Sequence, residues 1–122
     1  MSEVRLEHVN VNVSDPERVA RLMEELFDWR VRWRGPARDG KLTIHIGSAN
    51  HYLALHGGGK DTSYAKGHPL NHIGVEVDDL ADTERRVIAA GLKPFGHDKY
   101  DPGERFYFLD HDGTEFEVVS YR

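Results

Sequence analysis

Two imidazoles and one carboxylate in this 122-residue chain stand where they could share a cation. His8 and His72 hold the same place in two ten-residue segments, LEHVNVNVSD at 6–15 and LNHIGVEVDD at 70–79, which match at a constant offset of 64. Leu, His, a β-branched residue, two Val and an Asp recur in register, the mark of an internal repeat. Both segments alternate apolar and polar residues, as a strand with one face on a core does. Val9, Val11 and Val13 then face the core, which turns His8, Asn10 and Asn12 to the other side, and in the second copy His72, Gly74 and Glu76. The run TEFEVV at 114–119 divides in the same way, with Phe116 and Val118 on one face and Glu115 and Glu117 on the other. A mid-strand carboxylate is costly to desolvate, so Glu117 calls for an ion pair, open water or a metal. Two neutral imidazoles and a carboxylate, with positions left for water and substrate, suit Fe(II), Mn(II), Zn(II) or Ni(II).

The elements that must position these residues can be read around them. After the first strand, Asp15 and Pro16 make a helix N-cap and first helical position. Val19, Leu22, Met23, Leu26 and Phe27 then recur at helical spacing over about three turns. The second copy predicts a helix over 80–90, with Val87 and Ile88 for the core and Gly91 as its stop. Three short strands are expected after each helix, at 30–34, 41–46 and 52–56, then at 92–95, 105–109 and 115–120. Both halves thus read βαβββ. The stretch 57–69 reads as a linker and Asp110 to Gly113 as a tight turn. The modules are cut at 1–60 and 61–122, as one domain in all.

Composition narrows the chemistry. Cysteine is absent, which excludes disulfides, thiolate catalysis and cysteine-ligated metals. A formal charge of −5 with dispersed Lys and Arg argues against nucleic acid as a partner. No apolar run is long enough for a membrane span, and the first residues carry no signal pattern, so a cytoplasmic protein is expected. His45, His51, His68, His97 and His111 read as solvated residues of strand edges and loops, with His97 the nearest of them to a ligand. Arg30, Arg32 and Arg34 could grip an anion, but a charged edge strand accounts for them equally well. Gly57 to Gly59 with Lys60 lacks the rest of a phosphate loop and reads as linker.

With these positions in hand, the chain resembles the vicinal oxygen chelate superfamily, the group of glyoxalases, bleomycin-resistance proteins and extradiol dioxygenases. L-x-H-V with His8, L-x-H-I with His72, and FYFLDHDGTEFEV at 106–118 with Glu117 carry the resemblance over nearly the whole chain. It implies an α+β fold of paired βαβββ modules whose mixed sheets curl into a cup, helices outside, around a divalent metal held by His8, His72 and Glu117. Tyr107 matches a cup-facing tyrosine of some members, and His111 stands where a proline is commoner. The fourth-strand ligand of glyoxalase I-like members falls on Ala54, which cannot bind metal. The resemblance therefore implies a three-residue ligand set, similar to that of extradiol dioxygenases and fosfomycin-resistance thiol transferases. His56 shares the parity of Ala54 and stands as a further ligand or an acid–base group.

The function that follows is a metal-dependent enzyme, a lyase, isomerase or extradiol-type dioxygenase, acting on a small oxygen-bearing substrate. Glu117, Tyr107 and His56 are its candidate catalytic residues. The alternative is a metal-free small-molecule binding protein of the bleomycin-resistance type. A homodimer is expected, because short curved half-sheets leave open edges.

Overall fold

The computed structural model describes residues 4–58, 70–100 and 103–121. The chain forms two compact units, Met1–Asp61 and Thr62–Arg122. The first contains β1 (His8–Asn12), α1 (Pro16–Phe27), β2 (Arg30–Pro36), β3 (Leu42–Gly47) and β4 (Tyr52–His56). Its sheet runs in the order β1-β4-β3-β2, with β1 parallel to β4 and the other pairs antiparallel. A parallel pair needs a long crossover, and the helix and the two strands after it supply one. Asp15 caps α1 by accepting from the Arg18 N–H at 3.2 Å, and the helix ends on Asp28 at a left-handed φ of 57°. Val19, Leu22, Met23 and Leu26 on α1 are buried, as are Val11, Ile44, Ile46, Leu53 and Leu55 of the sheet, so the apolar stripe of the helix closes this core.

The second unit repeats the plan with β5 (Ile73–Glu76), α2 (Leu80–Ala89), β6 (Phe95–Tyr100), β7 (Gly103–Leu109) and β8 (Glu115–Ser120). The order is β5-β8-β7-β6, and β5 runs parallel to β8. Asp79 caps α2 through the Asp82 N–H at 3.0 Å, and Gly91 at a φ of 85° turns the chain out of it. Phe106, Phe108, Phe116, Val118, Val75 and Val87 are buried. Phe108 lies opposite Phe116 across β7 and β8, with ring centroids 5.1 Å apart. The Asp110 to Gly113 turn forms as expected, with Asp110 Oδ1 accepting from the Asp112 and Thr114 N–H groups at 2.9 Å each. The expected α+β fold of paired βαβββ modules is therefore present, each helix against its own sheet.

Two expectations need correction. The strand expected at 92–95 lies further on, at Phe95–Tyr100. Residues 92–94 instead form the helix exit, where the Leu92 N–H bonds the Val87 carbonyl and Pro94 has no N–H for a ladder. Ile88 is 57% exposed, because α2 buries only the stripe carrying Thr83 and Val87. The linker expected at 57–69, with His68, lies outside the described residues from residue 59 onward. Among the described residues no helix is long and apolar enough to cross a membrane.

Phe116 immediately precedes Glu117 and anchors β8 to the core. Phe116→Ala should cost about 3–5 kcal/mol through transfer and cavity terms, read as a lower midpoint in denaturant unfolding.

Candidate functional site

Parity along β8 turns Glu117 away from the phenylalanine core, and register gives it neighbours. Gly74 on β5 and Tyr107 on β7 lie directly beside it. The Glu117 carboxylate is nearly buried, its side chain 12% exposed, and both its oxygens are engaged. Oε1 lies 3.0 Å from His72 Nε2, and Oε2 accepts from Arg105 Nη1 at 2.7 Å. His72 Nδ1 lies 2.8 Å from Asn71 Oδ1. Tyr107 meets the His72 ring edge-on at 5.9 Å and stacks on Phe95 at 6.0 Å. Gly96 makes room for this tyrosine: its φ of 64° suits glycine, and a Cβ there would come within 2.9 Å of Tyr107 Cδ1. His72, Tyr107 and Glu117 are thus brought together within the second unit.

Arg105 was not among the residues expected at this site. It pairs with Val119, one same-face position along from the Tyr107–Glu117 pair, so its side chain shares the carboxylate's face. A buried carboxylate demands a cation, and Arg105 is the cationic residue of β7 at the right parity. That combination is the signal in the sequence that points to it.

His8 belongs to the first unit, where its Nδ1 donates to Glu7 Oε1 at 3.0 Å. Its ring stacks on Tyr52 at 4.7 Å, Tyr52 stacks on His45 at 4.5 Å, and His45 meets Trp33 at 4.9 Å. This ladder crosses all four strands, with the Arg32 guanidinium over the Tyr52 ring at 4.5 Å. His45 is therefore a packed mid-strand residue and not the solvated edge residue expected. Burial, and after it the nearby charges of His8 and Arg32, push its pKa below the ordinary 6.5. Ala54 lies in one row with Asn10 and His45 and is buried, so its row carries no carboxylate.

His56 lies at the other end of β4 from Tyr52, opposite Asn12. Its Nε2 donates to Asp39 Oδ2 at 2.9 Å, and its Nδ1 meets the Gly58 N–H at 3.1 Å and Asn12 Oδ1 at 2.9 Å. The Lys41 N–H, and after it the charge and hydrogen bond of His56, hold the Asp39 carboxyl below its ordinary value. The three arginines of β2 do not share one face: an irregularity between Val31 and Trp33 sends Arg32 to Tyr52, while Arg34 pairs with Glu17 on α1 at 3.0 Å. Elsewhere, His51 lies edge-on to Trp29, His97 donates to Glu84 Oε2 at 2.9 Å, and His111 sits in the β7–β8 turn. An open cavity of about 740 Å³ at the start of α2 is lined by Asp79, Glu84, His97, Lys99 and Arg105, and touches the Glu117 cluster only through Arg105.

Among the described residues, neither unit alone gathers three His, Asp or Glu side chains into one metal-binding group. The His72–Glu117 pair nevertheless fits two ligands of one ion. Donors about 2.1 Å from an octahedral ion and at right angles to each other lie about 3.0 Å apart, the separation at which Nε2 and Oε1 are hydrogen-bonded.

A family model described as Glyoxalase/Bleomycin resistance protein/Dioxygenase superfamily matches residues 5–118. The fold is similar to that of a glyoxylase/bleomycin resistance protein/dioxygenase domain from Frankia sp. EAN1pec, at 25% identity and a TM-score of 0.83, covering 99% of this chain and 100% of that one. It is also similar to the fosfomycin resistance protein FosX from Mesorhizobium loti, at 27% identity and a TM-score of 0.71, covering 96% and 91%. A genomically encoded FosX from Listeria monocytogenes, complexed with Mn(II) and sulfate, shares the fold at 16% identity and a TM-score of 0.74, covering 98% and 93%. The curated proteins include no match.

Two outcomes follow from the geometry. Arg105→Ala strands a buried carboxylate and should cost about 3–5 kcal/mol in denaturant unfolding. A loss of about 0–1 kcal/mol, that of a surface pair, would show that Glu117 does not depend on it. His45 has a folded pKa below its unfolded one, so the unfolded chain binds more protons as pH drops through 6.5. Its stabilising effect is complete above that pH and declines below it. In urea titrations across this range, His45→Gln should show a shallower acid loss than the wild type.

Proposed function

The chain belongs to the glyoxalase/bleomycin resistance protein/dioxygenase superfamily, and from that premise we propose a metal-dependent enzyme in which His8, His72 and Glu117 hold one divalent cation, Fe, Mn, Zn or Ni. The observation that carries this reading is the 3.0 Å spacing of His72 Nε2 and Glu117 Oε1 on a nearly buried carboxylate. The Mn(II) complex of a FosX with this fold supports it. His8, at the matched position of the repeat, supplies the third ligand, from the same chain or a second copy.

When bound, such a cation supplies Lewis-acid stabilisation of negative charge developing on a small oxygen-bearing substrate. The chain's own residues do the rest. Arg105 holds Glu117 Oε2 and leaves Oε1 for the cation. Tyr107 walls the His72 ring and lies beside Glu117 in the sheet, where its phenol can hold or move a proton. His56, with its Nε2 proton on Asp39, is the second proton-handling group. We place the protein in the cytoplasm, and we propose a homodimer, which the edge strands that each unit's sheet retains support.

One observation favours a second reading, a metal-free small-molecule binding protein of the bleomycin-resistance type. Arg105 at 2.7 Å already compensates the charge of Glu117 without a metal. Elemental analysis of untagged protein separates the two. The enzyme reading expects about one metal per chain, lost in His8→Ala, His72→Ala and Glu117→Gln. Glutamine is the better replacement for Glu117, because it keeps an oxygen for Arg105. Iron in the wild type would direct assays to dioxygenase chemistry, and Mn, Zn or Ni to lyase, isomerase or thiol-transfer chemistry. Absence of metal from the wild type, with ligand affinity unchanged by chelator, would establish the binding protein instead.

A further inference from the structure

We infer that Glu7 and Asn71 are positioning residues, each binding the Nδ1–H of the histidine that follows it and thereby presenting that ring's Nε2 as the metal-facing nitrogen. The inference rests on the metal reading above and assigns a task to residues that lie outside the ligand set.

The geometry recurs independently in the two units. Glu7 Oε1 lies 3.0 Å from His8 Nδ1, and Asn71 Oδ1 lies 2.8 Å from His72 Nδ1. Glu7 and Asn71 are themselves equivalent at the repeat offset of 64. Adjacent residues in a regular strand point to opposite faces and cannot meet in this way. Here the strands start at His8 and Ile73, so both acceptors stand just outside the strand residues, where alternation is relaxed, although the Glu7 carbonyl still accepts from the Tyr52 N–H. Glutamate is one methylene longer than asparagine, yet each places an oxygen at the same ring nitrogen.

The chemistry is fixed at His8, because a carboxylate only accepts and Nδ1 must be the donor. A neutral imidazole with its proton on Nδ1 keeps its lone pair on Nε2; His72 takes this tautomer when a cation stands between Nε2 and Glu117, because without one the carboxylate accepts the Nε2–H. A second contact sets each ring plane: Tyr52 stacks on His8 within 10° of parallel, and Tyr107 meets His72 edge-on at 82°. One contact selects the nitrogen and the other aims it. The two acceptors differ in charge, so Glu7 makes His8 the more electron-rich donor of the pair.

Mere surface pairing is the competing account, and the exposure of the pair makes the test sharp. Glu7 is 64% and His8 42% exposed, so the pair itself should matter little to stability. Loss of an outer acceptor typically lowers metal affinity about 10–100-fold. Mn(II) binding to the full-length chain is measured by competition with a chelator, for wild type, Glu7→Ala, Glu7→Gln, Asn71→Ala, His8→Ala and His72→Ala. Glu7→Ala and Asn71→Ala should each weaken Mn(II) binding about 10–100-fold at unchanged melting temperature. Glu7→Gln should recover most of the loss, since its amide oxygen still accepts. Nitrogen-15 spectra of the metal-free protein should place the His8 proton on Nδ1 in the wild type and lose that preference in Glu7→Ala. Unchanged affinity in both alanine variants, with binding abolished in His8→Ala and His72→Ala, would overturn the positioning role and leave the metal reading intact. No Mn(II) binding by the wild type, or equal binding by the two histidine variants, would remove the metal reading and this inference with it.

Discussion

A carboxylate placed mid-strand and almost out of reach of water is the constraint around which the second unit is organised. At 12% exposure both Glu117 oxygens are met, one by His72 and the other by Arg105, as burial of a carboxylate requires. Those partners come from either side of β8, Arg105 on β7 and His72 just ahead of β5, and the βαβββ path makes this possible. Its crossover lays the first strand parallel to the last, so a histidine 45 residues earlier in the chain reaches the carboxylate.

The two units share a path but have diverged on the face that carries the histidines. Where the second has the row Gly74, Glu117, Tyr107, the first has Asn10, Ala54, His45. Without a carboxylate, that face is held by ring stacking from His8 to Trp33, with Arg32 capping Tyr52. Such a ladder orders His8 without any ionic partner beyond Glu7. The core faces diverged less, since both bury an aliphatic or aromatic stripe against an amphipathic helix begun by a capping aspartate. Burial constrains the inner face of each sheet to be apolar, while the outer face is free to take up chemistry.

That difference also decides what was legible in the sequence. Core faces impose alternation and helical spacing, so the repeat, the two helices and the polar faces of His8, His72 and Glu117 could be read directly. β6 could not, because it lies at the edge of its sheet and its residues 95–99 are exposed, with no buried stripe among them to impose a pattern. Arg105 escaped for another reason: alternation tells which face a residue takes, but not which residue opposes it across the sheet. That register is set by the Asp110 turn, through hydrogen bonds that no periodicity encodes. His45 was misread because a polar residue of ambiguous parity looks solvated until its stacking neighbours on two other strands are known.

Arg105 bears on both functional readings through a property of the carboxylate itself. A carboxylate has two oxygens, and the guanidinium occupies only Oε2, so it need not compete with a ligand at Oε1. Its positive charge nevertheless draws electron density from the group it holds and opposes a second cation nearby. In the metal reading, Glu117 is consequently a rigid but weakened ligand, and affinity must rest more heavily on the two imidazoles. Their orientation then matters more than in a site with an unencumbered carboxylate. The acceptors at Nδ1 and the tyrosines against each ring supply that orientation from within each unit, where strand registry already fixes Tyr52 and Tyr107.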